Sequence, residues 1–248
     1  MERKLKAVVL AAGKGKRLHS EAHELPKVMR VAAGRPLLSY VLSAIDFVGR
    51  ENTIIVVGYK KEAVISAFPG YTFAEQKEQL GTGHAVMAAA EALQGFDGSV
   101  LVCCGDMPLV KKESLLALVE THFGENNACT ILSGSSDEPL DYGRIVRDEN
   151  GEFLRMVEHK DCSEEERKIK ELNSGVYIFE TPSLLGALTK LRRDNAQGEY
   201  YLTDVPAILK SEGKKVGVCC RHLGSELLGV NTPEQLQRVE ELLRGNNI

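Results

Sequence analysis

The chain has 248 residues, 43% hydrophobic and 27% charged, enough to bury a substantial core as one large α/β domain or two small ones. A net charge of −4 gives no global attraction for nucleic acid or an acidic membrane, and no apolar run approaches the ~20 residues that span a bilayer. Six cysteines fall as the adjacent pairs Cys103-Cys104 and Cys219-Cys220 plus Cys129 and Cys162, with no C-x-x-C spacing, so they read as small buried residues of a reducing cytoplasm rather than a zinc site.

Taken in order, the basic start runs into a short apolar stretch, Lys6 to Ala11, that reads as a first buried strand and not a signal peptide. Pro36 to Val48 has helical apolar spacing, with Pro36 suited to a first turn. TIIVVG is a second strand, Lys60 to Phe68 a helix, YTFAE a weaker strand and GHAVMAAAEAL an Ala-rich helix. SVLVCCGD is a third strong strand, followed by the helix ESLLALVETHF. This alternation predicts a mainly parallel sheet covered on both faces.

After about residue 125 the pattern turns β-rich. NACTILSG is a strand, GRIVRDENGEFLRMVE a hairpin turning at Asp148 to Gly151, and LNSGVYIF a further strand. Between them SEEERKIKE, Ser163 to Glu171, reads as a solvated helical face. Helices are expected at Pro182 to Lys190 and Thr203 to Ser211, then the strand KKVGVCC and a last helix, Pro233 to Leu243. With no linker or repeat, residues 1–248 are expected to form one domain with a β-rich lid or insertion at roughly 135–170.

The first strand opens into LAAGKGKRL. The spacing fits neither a Walker loop nor the third position of a dinucleotide fingerprint, which Leu18 occupies. Glycines can let backbone N–H groups wrap phosphate oxygens, with Lys14, Lys16, Arg17 and then Lys27 supplying charge; a solvated basic loop reads equally well from this stretch alone. Asp106 ends the third strand. In open α/β sheets ligands sit beyond the carboxyl ends of the strands, so the loop and Asp106 should share one rim. A carboxylate facing a phosphate loop needs a cation between them, for which magnesium is natural, although Asp106 could simply cap the next helix.

Three other positions stay open on the residues alone. QLGTGHA is a turn that either admits a flat base or only starts a helix, and its His84 reads as a packing or capping residue without a catalytic role. Asn173, inside an apolar strand, must find partners or bond a ligand. Asn231, just before Pro233, either caps the last helix or ligates a metal. No His–Asp or Ser–His arrangement for nucleophilic catalysis is evident.

LAAGKGKRL, LPKVM, QLGTGHA, GDMPL, YGRIVRD, VEHKD, NSGVYIF, NAQGEYYLTD and GVNTPEQL, spanning Leu10 to Leu236, together resemble the uridyltransferase domain of the bacterial N-acetylglucosamine-1-phosphate uridyltransferases, in the sugar nucleotidyltransferase family. The resemblance implies a Rossmann-like nucleotidyltransferase fold and a cytoplasmic enzyme making a peptidoglycan precursor. It implies that Leu10, Ala11, Ala12, Gly13, Lys14, Gln76, Gly81 and Thr82 receive UTP and that Arg17 and Lys27 contact its phosphates as catalytic residues. Gly105, Gly143, Glu158 and Asn173 would hold N-acetylglucosamine-1-phosphate, and Asp106 and Asn231 a Mg²⁺ cofactor. Under this resemblance Asn231 becomes a ligand.

Two substitutions depart from the family pattern: Cys104 stands where a tyrosine is common, and NSG replaces NTG. The family's C-terminal left-handed β-helix is expected to be absent, since no hexapeptide repeat occurs, so the chain reads as a truncated or stand-alone transferase without acetyl transfer. Another sugar-1-phosphate, glucose or N-acetylgalactosamine, is the nearest alternative substrate, and a non-catalytic nucleotide-sugar-binding module the alternative of another class. No nucleic-acid or membrane partner is expected, and oligomeric state is not readable.

Overall fold

The computed structural model describes residues 4–18, 25–135 and 140–245. The strands are β1 (Leu5–Leu10), β2 (Val31–Ala32), β3 (Arg35–Pro36), β4 (Thr53–Val57), β5 (Thr72–Glu75), β6 (Ser99–Cys104), β7 (Cys129–Ser135), β8 (Arg144–Arg147), β9 (Phe153–Val157), β10 (Glu171–Glu180) and β11 (Val216–Arg221). The helices are α1 (Leu37–Ala44), α2 (Lys61–Ala67), α3 (Thr82–Ala88), α4 (Ala90–Leu93), α5 (Lys112–Glu125), α6 (Glu164–Arg167), α7 (Thr181–Leu188), α8 (Val205–Ser211) and α9 (Pro233–Gly245).

The main sheet runs β11-β7-β10-β6-β1-β4-β5, with the β8–β9 hairpin attached through β10. Pairing is parallel for β6-β1-β4-β5 and for β11-β7, while β10 is antiparallel to both β6 and β7. This is a mixed, mostly parallel Rossmann-like α/β sheet with helices on its faces. Because successive strand residues alternate in direction, the two faces bury separate cores. Val9, Leu101 and Ile178 join one core with α1 and α5; Val8, Val102 and Tyr177 join the other with α3 and α7.

Local differences from the sequence reading have identifiable causes. Pro36 closes a two-strand hairpin (β2–β3) and precedes α1 instead of entering its first turn; the turn is Ala33-Gly34, both at positive φ. Alanine is rarely placed there, so composition carried no hairpin signal. The SEEERKIKE stretch is helical for only one turn: Ser163 and Glu166 form a reciprocal cap, and by Glu171 the chain has entered β10. Residues 136–139 of the expected lid lie outside the described residues, as does the side chain of Lys16. Among the described residues no helix is long and apolar enough to cross a membrane.

Candidate active site

β1 and β6 are parallel neighbours with Leu10 opposite Cys104, so the loop after β1 and the Gly105-Asp106 pair leave the sheet side by side. The Gly105 N–H donates to the Leu10 carbonyl at 2.9 Å, and a Cβ at Gly105 would stand 3.1 Å from that oxygen. Glycine is what allows the two chain segments to approach so closely. Leu18, buried beneath the loop, anchors its far end, leaving Arg17 exposed and Lys14 partly exposed.

Lys27 enters from a 3-10 turn, Lys27–Met29, seated by buried Val28. Its ammonium contacts the Asp106 carboxylate and donates to Asn231 Oδ1 at 2.9 Å, while Arg17 Nη2 reaches the same oxygen at 3.4 Å. The Lys27 and Asp106 side chains are 15% and 17% exposed, shielded but reachable from solvent. Asn231 is brought there by main chain, since the Val230 N–H donates to the Asp106 carbonyl at 2.9 Å.

The cap reading of Asn231 has a geometric answer. Thr232 Oγ1 accepts from the Gln235 N–H at 3.3 Å, and Gln235 Oε1 accepts from the N–H groups of Asn231 at 2.7 Å and Thr232 at 3.1 Å. Thr232 and Gln235 thus cap α9 reciprocally. The Asn231 amide oxygen faces the Lys27 and Arg17 cations instead.

Beside this cluster lies a cleft of about 260 Å³, lined by Leu10, Ala12, Gly13, Gln76, Gly81 and Thr82 and by Cys104 and Asp106 at its rim. Ala11 is buried and donates its N–H to the Val56 carbonyl at 2.9 Å, so it offers the cleft main chain at most. Thr82 Oγ1 accepts from the Leu202 N–H at 3.1 Å. The same seam pairs Gly83 N–H with the Tyr200 carbonyl and Tyr200 N–H with the Leu80 carbonyl, both at 2.8 Å. Gly81, at φ +107, has no room for a side chain, because a Cβ would lie 2.6 Å from the Tyr200 carbonyl. QLGTGHA and NAQGEYYLTD are therefore two sides of one seam.

A model of the MobA-like NTP transferase domain matches residues 7–197, most of the chain, Arg17, Lys27 and Asp106 included. The chain belongs to the MobA-like NTP transferase family. Over 239 residues, 96% of its length, it is 45% identical to the Bifunctional protein GlmU of Streptococcus suis and 44% identical to that of Streptococcus gordonii, in each case 51% of the relative. It is likewise 44% identical over 241 residues to the Bifunctional protein GlmU of Caldanaerobacter subterraneus, 97% of this chain and 52% of the relative. The chain thus spans about half the length of the curated relatives it matches.

In this NTP transferase three of the four residues expected to hold a sugar lie on neighbouring elements, Gly143 before β8, Glu158 after β9 and Asn173 in β10, while Gly105 packs on Leu10. Asn173 receives no bare amide's fate: its Nδ2 donates to the Tyr177 hydroxyl at 2.6 Å and its Oδ1 accepts from the Gly175 N–H at 3.0 Å. Its own N–H donates to the Gly143 carbonyl at 2.9 Å, so these two residues stand together. Glu158 accepts from the Thr203 hydroxyl at 2.9 Å. Burial pushes its carboxyl above the usual range, the Thr203 bond opposes this, and Asp161, Asp204 and Glu199 add to the rise.

Several contributors escape a motif reading. Glu199 and Gln79 line the cleft, and the Tyr142 hydroxyl accepts from the Gly229 N–H at 2.8 Å, tying YGRIVRD to the segment that carries Asn231. Only their membership of NAQGEYYLTD, QLGTGHA and YGRIVRD signalled them.

The structure also contains a Ser–His pair that the sequence did not reveal. Ser99 Oγ lies 2.9 Å from His122 Nε2, and His122 Nδ1 lies 3.0 Å from Thr130 Oγ1. The third partner is a hydroxyl, which cannot stabilise an imidazolium as a carboxylate would. Burial pushes His122 down to about 4. The pair is a neutral network at the opposite end of the strands, beside a cavity of about 800 Å³ that holds none of the rim residues.

Proposed function

We propose that this enzyme transfers UMP from UTP to N-acetylglucosamine-1-phosphate, giving UDP-N-acetylglucosamine and pyrophosphate. The observation that carries the reading is the convergence of Arg17, Lys27, Asp106 and Asn231 on one rim beside a cleft floored by Gln76. Family membership supports nucleotidyl transfer, and likeness to the GlmU proteins supports the choice of substrates. Residues 1–248 are read as one catalytic domain in which the β8–β9 hairpin and β10 wall the sugar side. Six free thiols suit a reducing cytoplasm.

The attacking atom is a phosphate oxygen of the sugar phosphate, already anionic at neutral pH, so no general base is needed. It forms a bond to the α-phosphorus of UTP as the bond to the bridging oxygen of the β-phosphate breaks. The obstacle is the meeting of two polyanions, which makes positioning and charge neutralisation the main contributions of the protein. Lys14, Arg17 and Lys27 face the β- and γ-phosphates and stabilise the departing pyrophosphate. Gln76, Gly81 and the main chain from Leu10 to Gly13 receive the nucleoside, with Thr82 acting through the seam it holds. Gly143, Glu158 and Asn173 orient the sugar, Glu158 as an acceptor for sugar hydroxyl or amide donors. Gly105 supports that side by its close packing on Leu10.

The donor set fits magnesium. Asp106 and Asn231 offer two hard oxygens that already share one cation, the Lys27 ammonium. Asp106 and Asn231 would hold the ion, which would supply positive charge against the phosphates. Incubating the chain with UTP, N-acetylglucosamine-1-phosphate and MgCl₂ and following phosphorus NMR tests the reading. UDP-N-acetylglucosamine and pyrophosphate should appear in equal amounts; UTP that binds but never turns over would make the chain a binding module.

A further inference from the structure

His84 lies at the start of α3, one residue beyond the glycine seam, and nothing above uses it. Its ring stacks on Tyr200 with centroids 6.2 Å apart and forms part of the wall between the cleft and an apolar groove on the outer face. The inward partner is Gln76, a buried amide that lines the cleft and is fixed at the end of β5 by an N–H to the Val57 carbonyl at 2.8 Å. Gln76 Nε2 lies 3.1 Å from the Gly81 carbonyl and 3.2 Å from His84 Nδ1.

An amide nitrogen only donates, so His84 Nδ1 must be the acceptor and the ring proton must sit on Nε2. Both Gln76 hydrogens are then used, one on Gly81 and one on His84. The polar atom left to the cleft is Oε1, an acceptor. Rotating the amide by half a turn would set Oε1 against the Gly81 carbonyl, acceptor against acceptor, whichever tautomer His84 took. The Gly81 carbonyl and the His84 lone pair together hold the amide in one sense.

We propose that His84 is a positioning residue that holds Gln76 with its acceptor toward the base, so that the cleft selects a base with an N–H on its Watson–Crick edge. Uracil presents N3–H there; cytosine presents a bare N3 and meets acceptor with acceptor. This rests on the reading of the cleft as the UTP site. Leucine at position 84 fills similar space but cannot accept, leaving one Gln76 hydrogen unpartnered and the amide held by the Gly81 carbonyl alone. Asparagine can return an acceptor near the position of Nδ1.

Dissociation constants and kcat/KM for UTP and CTP are to be compared in the wild type, His84→Leu and His84→Asn. The UTP-over-CTP preference should fall by about tenfold or more in His84→Leu, the scale of a mismatched buried hydrogen bond, and largely return in His84→Asn. A preference unchanged in folded His84→Leu would overturn the inference while leaving the UTP site standing. A wild type indifferent to UTP and CTP would overturn both. Nitrogen-15 NMR of the wild-type histidines needs no variant: His84 should carry its proton on Nε2, and a proton on Nδ1 would contradict the proposal.

Discussion

The Lys27 ammonium joins the Asp106 carboxylate to the Asn231 amide, groups 79 and 204 residues away from it in the chain. One cation draws together the two oxygens proposed to hold another. Lys27→Met removes that charge from beside Asp106. In the absence of nucleotide, Mn²⁺ affinity measured by electron paramagnetic resonance should rise about tenfold, the direction expected from removing a like charge. Turnover should nevertheless fall by about 10²–10³ through loss of a preorganised phosphate contact. Unchanged or weaker Mn²⁺ binding would place the metal elsewhere.

Asp106→Ala tests the same centre from the other side. Its carbonyl, which holds Val230, is main chain and survives the substitution. The variant should therefore keep its thermal midpoint and lose magnesium-dependent turnover. Retained activity at ordinary magnesium would remove Asp106 from the metal site.

Arg17 is exposed and reaches only the edge of the cluster, at 3.4 Å from Asn231 Oδ1. Arg17→Ala should leave stability unchanged and lower kcat by about 10²–10³, the scale of one lost transition-state donor. Near-normal kcat would confine Arg17 to the solvated loop.

Gly81→Ala addresses the seam. Alanine would take up a glycine-only conformation and press on the Tyr200 carbonyl, costing roughly 2 kcal/mol or more. A fall in the urea midpoint with weaker UTP binding is expected. An undisturbed midpoint would show that the seam yields.

His122 should appear in the pH dependence of stability. Burial holds it near 4 in the fold, against ~6.5 when unfolded. Between those values the unfolded chain takes up a proton that the folded one does not. Stability therefore falls as pH drops through this window, by about 3 kcal/mol in all from this group. His122→Leu should flatten that part of the profile relative to the wild type in urea titrations from pH 7 to 4.5; an equal slope would deny the effect.

The rim was legible because β1 and β6 are continuous apolar strands whose following residues, Gly13 to Arg17 and Gly105-Asp106, belong at the carboxyl edge of a parallel sheet. The turn at Asp148 to Gly151 was legible from a short polar run ending in glycine, and Gly151 takes the positive φ such a turn favours. Antiparallel β10, inserted between β6 and β7, was not legible, since direction within a sheet leaves no local mark. Nor was the placement of the Asn231 side chain off the cap, which depends on Gln235 and Thr232 making it, or the Gly81–Tyr200 seam, which needs residues far apart in the chain. The Ser99–His122 pair escaped for the reverse reason. Neither residue is distinctive where it stands, and only the fold brings them together.

Pyrophosphate release with magnesium, crossing UTP, CTP and dTTP against N-acetylglucosamine-1-phosphate, N-acetylgalactosamine-1-phosphate and glucose-1-phosphate, tests the proposed transfer most directly. The expected result is one dominant signal, UTP with N-acetylglucosamine-1-phosphate, despite the small Cys104 side chain at the cleft rim. A dominant signal with another sugar, or none with any pair, would contradict it.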